Sequence, residues 1–136
     1  MNHITVIGAG TMGNGIAHCF AQNKFQVYLI DISEENLKNA KHTIEKNLNR
    51  MIHKNTINEK DKQKILSKIS FHTELGEEVK KSDLVIEAAT ESKKVKLNIF
   101  KTLDSLCGDH TILATNTSSI SITEIGAVTK RANKVI

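Results

Sequence analysis

Six residues near the amino terminus, Gly8-Ala9-Gly10-Thr11-Met12-Gly13, constrain this chain more than any other feature. They follow a short apolar run at residues 4–7 and precede a stretch of helix formers, so they form a G-x-G-x-x-G turn between strand and helix. Gly8 suits the tight turn, and Gly10 lets a pyrophosphate approach the backbone with no Cβ in the way. Gly13 lets the helix close on the sheet, a task that Gly15 and Ala17 can share. A helix beginning near Thr11 aims its free N–H groups and positive dipole end at the same spot. A glycine turn alone is weak evidence. Here a second strand, Gln26–Ile30, ends in Asp31, eighteen residues past Gly13. A carboxylate at that tip can accept hydrogen bonds from an adenosine ribose. Its charge would repel a 2′-phosphate, and Ile32-Ser33 supplies no arginine to offset that, so the pattern predicts NAD rather than NADP. The competing reading is a glycine turn with Asp31 capping the next helix; the full strand–turn–helix–strand–acid order favours the dinucleotide.

Beyond the turn, β-rich runs alternate with helical patterns. The strand candidates are residues 4–7, Gln26–Ile30, Ile69–His72, Leu84–Glu87, residues 111–115 and a last one reaching residues 134–136. Val27-Tyr28-Leu29-Ile30 and Leu84-Val85-Ile86 are apolar without alternation, as in parallel strands covered on both faces. Ser33 followed by Glu34 and Glu35 starts a long helix with a cap and two acids at its positive end. Leu37, Ala40, Ile44, Leu48, Met51 and Ile52 then recur at three- and four-residue steps to about residue 53. Asn55-Thr56-Ile57-Asn58 breaks that helix, and residues 59–68 return as a shorter one. Val95, Ile99, Leu103 and Leu106 mark another amphipathic helix, stopped near Gly108. The expected architecture is α/β: a Rossmann-type doubly wound parallel sheet with a helical hairpin after the second strand.

The chain of 136 residues has the length of one domain, and its longest apolar runs are only a few residues, too short for a membrane span. The amino terminus lacks a signal-peptide pattern, and Cys19 and Cys107 form neither a disulfide framework nor a metal-type pair. A cytoplasmic protein is the expectation. Cys19 reads as a small buried hydrophobe within the first helix. The six histidines show no metal-ligand spacing, and no metal is expected. Of the net charge of +4, all sits in residues 33–68, where nine basic residues face five acidic ones. Such a surplus suits a polyanion or is simply a solvated lysine face. Nucleic acid is the weakest partner, because the segment has no aromatic residue for base stacking.

Three blocks carry a resemblance: residues 8–17 (GAGTMGNGIA), residues 85–91 (VIEAATE) and Asn116-Thr117-Ser118-Ser119. Together and in this order they resemble the L-3-hydroxyacyl-CoA dehydrogenase family, along the whole chain. The family oxidises the 3-hydroxyl of an acyl-CoA to a ketone with NAD, and a short chain such as 3-hydroxybutyryl-CoA is the expected substrate. The resemblance implies that Glu91 and its partner Lys96 lie near the nicotinamide ribose. It implies that Ser118 hydrogen-bonds the substrate's C3 oxygen, with Asn116 in the same catalytic turn, and that Lys54 contacts coenzyme A. A neighbouring serine of the family is Asn47 here, a departure at that end of the substrate site. From spacing alone Glu91 is a helix-start acid, Lys96 and Lys54 are exposed lysines, and Asn116 through Ser119 are caps for a helix beginning near Ser121.

Alcohol oxidation also requires a base for the hydroxyl proton. The family's base is a histidine in a G-x-H-F-x-N-P-like segment just past the last strand, and none of the six histidines here lies in such a segment. The chain has no proline, where average usage gives roughly seven. The expectation is an NAD-binding domain over residues 1–136, truncated before the catalytic histidine and a helical C-terminal domain, and inactive or nearly so by itself. That missing domain would also make the homodimer. Two alternatives remain: the same domain in a gulonate-type 3-hydroxyacid dehydrogenase, or a non-catalytic dinucleotide-binding module.

Overall fold

The computed structural model describes residues 1–89 and 91–136. Five strands form one sheet: β1 (His3–Ile7), β2 (Gln26–Ile30), β3 (Ile69–His72), β4 (Leu84–Glu87) and β5 (Ile112–Thr115). All pairings are parallel, in the order β3-β2-β1-β4-β5. The helices are α1 (Thr11–Gln22), α2 (Glu34–His53), α3 (Glu59–Ser67), α4 (Glu77–Lys80), α5 (Lys93–Leu106) and α6 (Ile122–Ala127). The strand order reverses between β1 and β4, the switch point where an open α/β sheet takes its ligand.

Helix boundaries follow local chemistry. Ser33 caps α2 by accepting from Asn36 N–H (3.1 Å), with Glu34 and Glu35 at the positive end and Arg50 and His53 at the negative end. Asn55 takes the left-handed turn (φ 58°), and Asn58 with Asp61 forms a reciprocal capping box that starts α3. The buried stripe of α2, Leu37, Ala40, Ile44 and Leu48, is the one its periodicity predicts. With β1, β2 and α1 it builds one core layer; Ile7, Val85, Phe100, Leu103, Leu113 and Ile125 build the layer on the other face.

Several expectations are corrected. The last strand is not formed as a strand: residues 132–134 make a 3₁₀ turn, and Val135 only bridges to Leu113 beside β5. Leu84 and Ile86 are half-buried, so β4 is fully covered on one face only. Cys19 is exposed, because α1 buries Gly13, Ala17 and Ala21 at four-residue steps and position 19 points away from that stripe. Gly15 likewise meets only open space. Finally, α5 buries Lys96, Phe100 and Leu103, a stripe rotated from the predicted one, and leaves Val95 exposed.

Arg131 closes the far side of the fold. Its guanidinium donates to Asp104 Oδ1 (2.7 Å) and to the carbonyls of Asp104, Cys107, Gly108 and Thr111, which satisfies the last turn of α5. At the amino ends of the strands, Asp83 accepts from the N–H groups of Asn2 and His3 (2.7 and 3.0 Å). Both clamps leave the carboxyl ends of β1, β4 and β5 free for a site.

Candidate dinucleotide site at the strand carboxyl ends

Gly8 leaves β1 with φ of +102°, a conformation that favours glycine, and its N–H donates to Ile30 O (2.7 Å). A Cβ on Gly8 would lie 2.6 Å from Ala88 O, so the loop after β1 and the loop after β4 touch at the switch point. A Cβ on Gly13 would sit 1.7 Å from Gly8 O, which no backbone can accommodate unmoved. Gly10 is different: a Cβ there would meet nothing within 4 Å, because it would project into the open space in front of the helix. The first hydrogen bond of α1 runs from Asn14 N–H to Gly10 O (2.9 Å), and no side chain caps the helix. The N–H groups of Thr11, Met12 and Gly13 therefore have no partner within the helix and lie at its positive end, beside the open space that Gly10 leaves.

Asp31 forms the second wall. Its Oδ2 accepts from Ala9 N–H (2.9 Å) and its Oδ1 from Ser33 N–H (2.8 Å). These bonds fix the carboxylate between the glycine loop and the start of α2, where the Asn36 amide nitrogen also lies 3.4 Å from both oxygens. Ile32 beside it is 94% exposed.

Across the switch point, a cleft of about 210 Å³ is lined by Met12, Ala88, Ala89, Glu91, Lys96 and Asn116. It gathers residues from all three sequence blocks. Glu91 is exposed, and its Oε2 accepts from Ser119 Oγ (2.7 Å) and Thr117 Oγ1 (3.2 Å). The Ser119 hydroxyl holds its carboxyl below the ordinary value, helped by Thr117 and the charge of Lys96. Ser118 and Asn116 are exposed on the turn after β5, and Asn116 N–H donates to Glu87 O (2.9 Å). That turn does not cap α6; Ser121 does, accepting from Glu124 N–H. Thr90, part of the second block, lies outside the described residues.

Lys96 is corrected in two respects. It is buried, not exposed, and its ion pair is with Glu87 (2.5 Å) rather than Glu91. Glu87 was given no role by the sequence. The signal was there: Glu87 has the inward parity of Val85 on β4, and Lys96 lies four and seven residues from Phe100 and Leu103, on the buried face of α5. Two charges in core phase on adjacent elements point to each other.

Lys54 is not brought to the cleft. It ends α2, twenty residues long, about 30 Å from Ser33. A larger hollow of about 400 Å³, between the end of α1 and α3, is lined by Ala21, Ile57, Lys64 and Lys68 among others and holds none of the motif residues. Its volume is no guide to the chemistry, which lies at the smaller cleft. Among the described residues, no group of three or more His, Cys, Asp or Glu could hold a metal, and no helix is long and apolar enough to cross a membrane.

Comparison with known proteins agrees with this geometry. Residues 3–136 match the profile described as 3-hydroxyacyl-CoA dehydrogenase, NAD binding domain. The chain is similar to the 3-hydroxybutyryl-CoA dehydrogenase of Clostridioides difficile, 44% identical over 98% of this chain and 47% of the relative. It is 41% identical to the mitochondrial hydroxyacyl-coenzyme A dehydrogenase of Sus scrofa, over 98% of this chain and 44% of the relative. The crystal structure of (S)-3-hydroxybutyryl-CoA dehydrogenase from Ralstonia eutropha superposes with a TM-score of 0.95 at 41% identity, over 100% of this chain and 48% of the other. The chain thus spans about half the length of the relatives it matches. With a glycine cradle, a fixed acid and a two-loop cleft at one sheet edge, this chain belongs to the 3-hydroxyacyl-CoA dehydrogenase family, as its NAD-binding domain.

Proposed function

We propose that this chain is the cofactor half of an enzyme that interconverts a 3-hydroxyacyl-CoA, with 3-hydroxybutyryl-CoA the expected substrate, and the corresponding 3-ketoacyl-CoA. The observation that carries the reading is Asp31: its carboxylate is pinned by Ala9 and Ser33 beside a helix start whose approach only a glycine leaves open. The N–H groups of Thr11, Met12 and Gly13 bind the pyrophosphate, and Asp31 accepts from the adenosine ribose and repels a 2′-phosphate. NAD, when bound, supplies the acceptor for hydride from the substrate's C3.

On the other side of the cleft Glu91 accepts from the nicotinamide ribose, its carboxylate held in place by the Ser119 and Thr117 hydroxyls. Lys96 acts there from beneath, its charge directed at Glu87 and the cleft floor. Ser118 hydrogen-bonds the substrate's C3 oxygen, and Asn116 completes that polar wall. Among the described residues no histidine lines the cleft, and in this reading a longer protein supplies the proton acceptor. Lys54, exposed at the end of α2 as Lys38, Lys41 and Lys46 are along it, contacts coenzyme A in this reading. The relatives are about twice as long, and the remaining half would supply the base, close the acyl site and make a homodimer in the cytoplasm.

The test is turnover by this chain and by a version extended to the relatives' length, with 3-hydroxybutyryl-CoA and with free sugar-derived hydroxy acids. The extended protein is expected to oxidise the thioester and the short chain to be nearly inactive. Full activity in the short chain, or preference for the free acid, contradicts the proposal.

A further inference from the structure

At the end of β4, the Glu87 side chain is fully buried, yet its carboxylate takes donors from three separate elements. Ala89 N–H in the following loop lies 2.8 Å away, Lys96 Nζ on α5 2.5 Å, and Thr115 Oγ1 on β5 2.9 Å. A carboxylate only accepts, so the Thr115 hydroxyl must donate to it, and its lone pair is then free for Thr117 N–H (3.2 Å). Thr117 Oγ1 repeats the logic: it donates to Glu91 and accepts from Ser119 and Ile120 N–H, both at 3.3 Å. Direction-fixed hydrogen bonds thus run from the buried Lys96–Glu87 pair through Thr115 to the Thr117 backbone, and from the Thr117 hydroxyl on to Glu91. The same bonds shape the turn that carries Asn116 and Ser118.

We propose that Glu87 is a positioning residue that sets the nicotinamide side of the cleft, through Thr115 and Thr117, without touching the cofactor itself. The proposal rests on the NAD reading above. A buried ion pair by itself says little about stability or function. What assigns this one is its surroundings: Ala89 and Lys96, both bonded to the Glu87 carboxylate, also line the cleft, as does Asn116, whose N–H donates to the Glu87 main-chain carbonyl. None of them belongs to the glycine loop or bonds to Asp31, so loosening this network falls mainly on the nicotinamide end of a dinucleotide, and reaches the other end only through the contact of Gly8 with Ala88 and Ala89.

Titrations with NADH and with ADP separate the two ends, because ADP carries the adenosine and pyrophosphate but no nicotinamide half. The variants are Glu87→Gln, Thr115→Val and Thr115→Ser, with Asp31→Ala as control. Glu87→Gln and Thr115→Val are expected to weaken NADH about tenfold and ADP by less than about twofold. Thr115→Ser keeps the hydroxyl and is expected to bind NADH like the wild type. Thr115→Val changes no charge and suits a strand, so it reports even if Glu87→Gln folds poorly. Equal loss of both ligands, or unchanged NADH binding in folded Thr115→Val, overturns the proposal. Asp31→Ala should weaken both ligands. If it does and the split is absent, only the role of Glu87 falls; if the wild type binds neither ligand, the NAD reading falls and this proposal with it.

Discussion

The two walls of the site are built by different means. On the side of β1 and β2, function is carried by backbone: a glycine at +102°, uncapped helix N–H groups, and one carboxylate held by two main-chain donors. On the side of β4 and β5 it is carried by side chains that hold one another, with Glu87 and Glu91 each collecting hydroxyl or ammonium donors from neighbouring elements. A backbone wall depends on the space left around glycines. A side-chain wall depends on partners, and losing one leaves the others unsatisfied.

That contrast predicts where damage goes. Gly13→Val should do most, because its Cβ would lie 1.7 Å from Gly8 O and must force the loop and helix apart. A stability loss of more than roughly 5 kcal/mol in urea unfolding, with no measurable NADH binding, is expected. Glu87→Ala comes next at about 3–5 kcal/mol, since it strands a buried ammonium. An effect under about 1 kcal/mol would mean that the second wall is not held by this pair. Gly10→Ala should separate binding from folding: its φ of −71° suits alanine and nothing crowds the Cβ, so thermal stability should hold. Its NADH affinity should nevertheless fall about tenfold, because the methyl enters the phosphate cradle.

A smaller effect concerns pH and lies outside both walls. Asp83 is held below its ordinary value by the N–H groups of Asn2 and His3. Asp104, despite partial burial that pushes it the other way, is held low by Lys130 N–H and Arg131. With folded values depressed, the unfolded chain binds more protons, so the stabilisation is present above about pH 4 and is lost as pH falls through the folded values. Asp104→Asn should flatten this acid limb of stability against pH. The smallest effect is chemical. Burial pushes Cys107 up to about 11, whereas Cys19 is exposed, so iodoacetamide should label Cys19 in the native protein and Cys107 only on unfolding.

The same contrast explains what was legible in the sequence. The backbone wall could be read directly, because glycines at fixed spacing and an acid at a strand tip have few other uses. The Ser33 cap and the α2–α3 hairpin were legible as local decisions, and the parallel sheet from unbroken apolar runs alternating with helices. The second wall was legible only as a resemblance. Spacing alone makes Glu91 a helix-start acid and Lys96 an exposed lysine, but Lys96 turns inward because its position shares the phase of Phe100 and Leu103. The partner it meets, Glu87, lies at the end of the interior strand β4, and such pairings become visible once phase on both elements is compared. The final strand was overcalled because Val135 and Ile136 have β-forming side chains while residues 132–134 close a 3₁₀ turn around the Arg131 clamp.

The most direct test of the central claim is a pair of titrations, NADH and NADPH, on the wild type and on Asp31→Ala. The wild type should bind NADH and discriminate against NADPH, and Asp31→Ala should lose affinity for NADH together with most of that discrimination. Equal binding of the two dinucleotides by the wild type, or NADH binding unchanged by the substitution, would contradict the account.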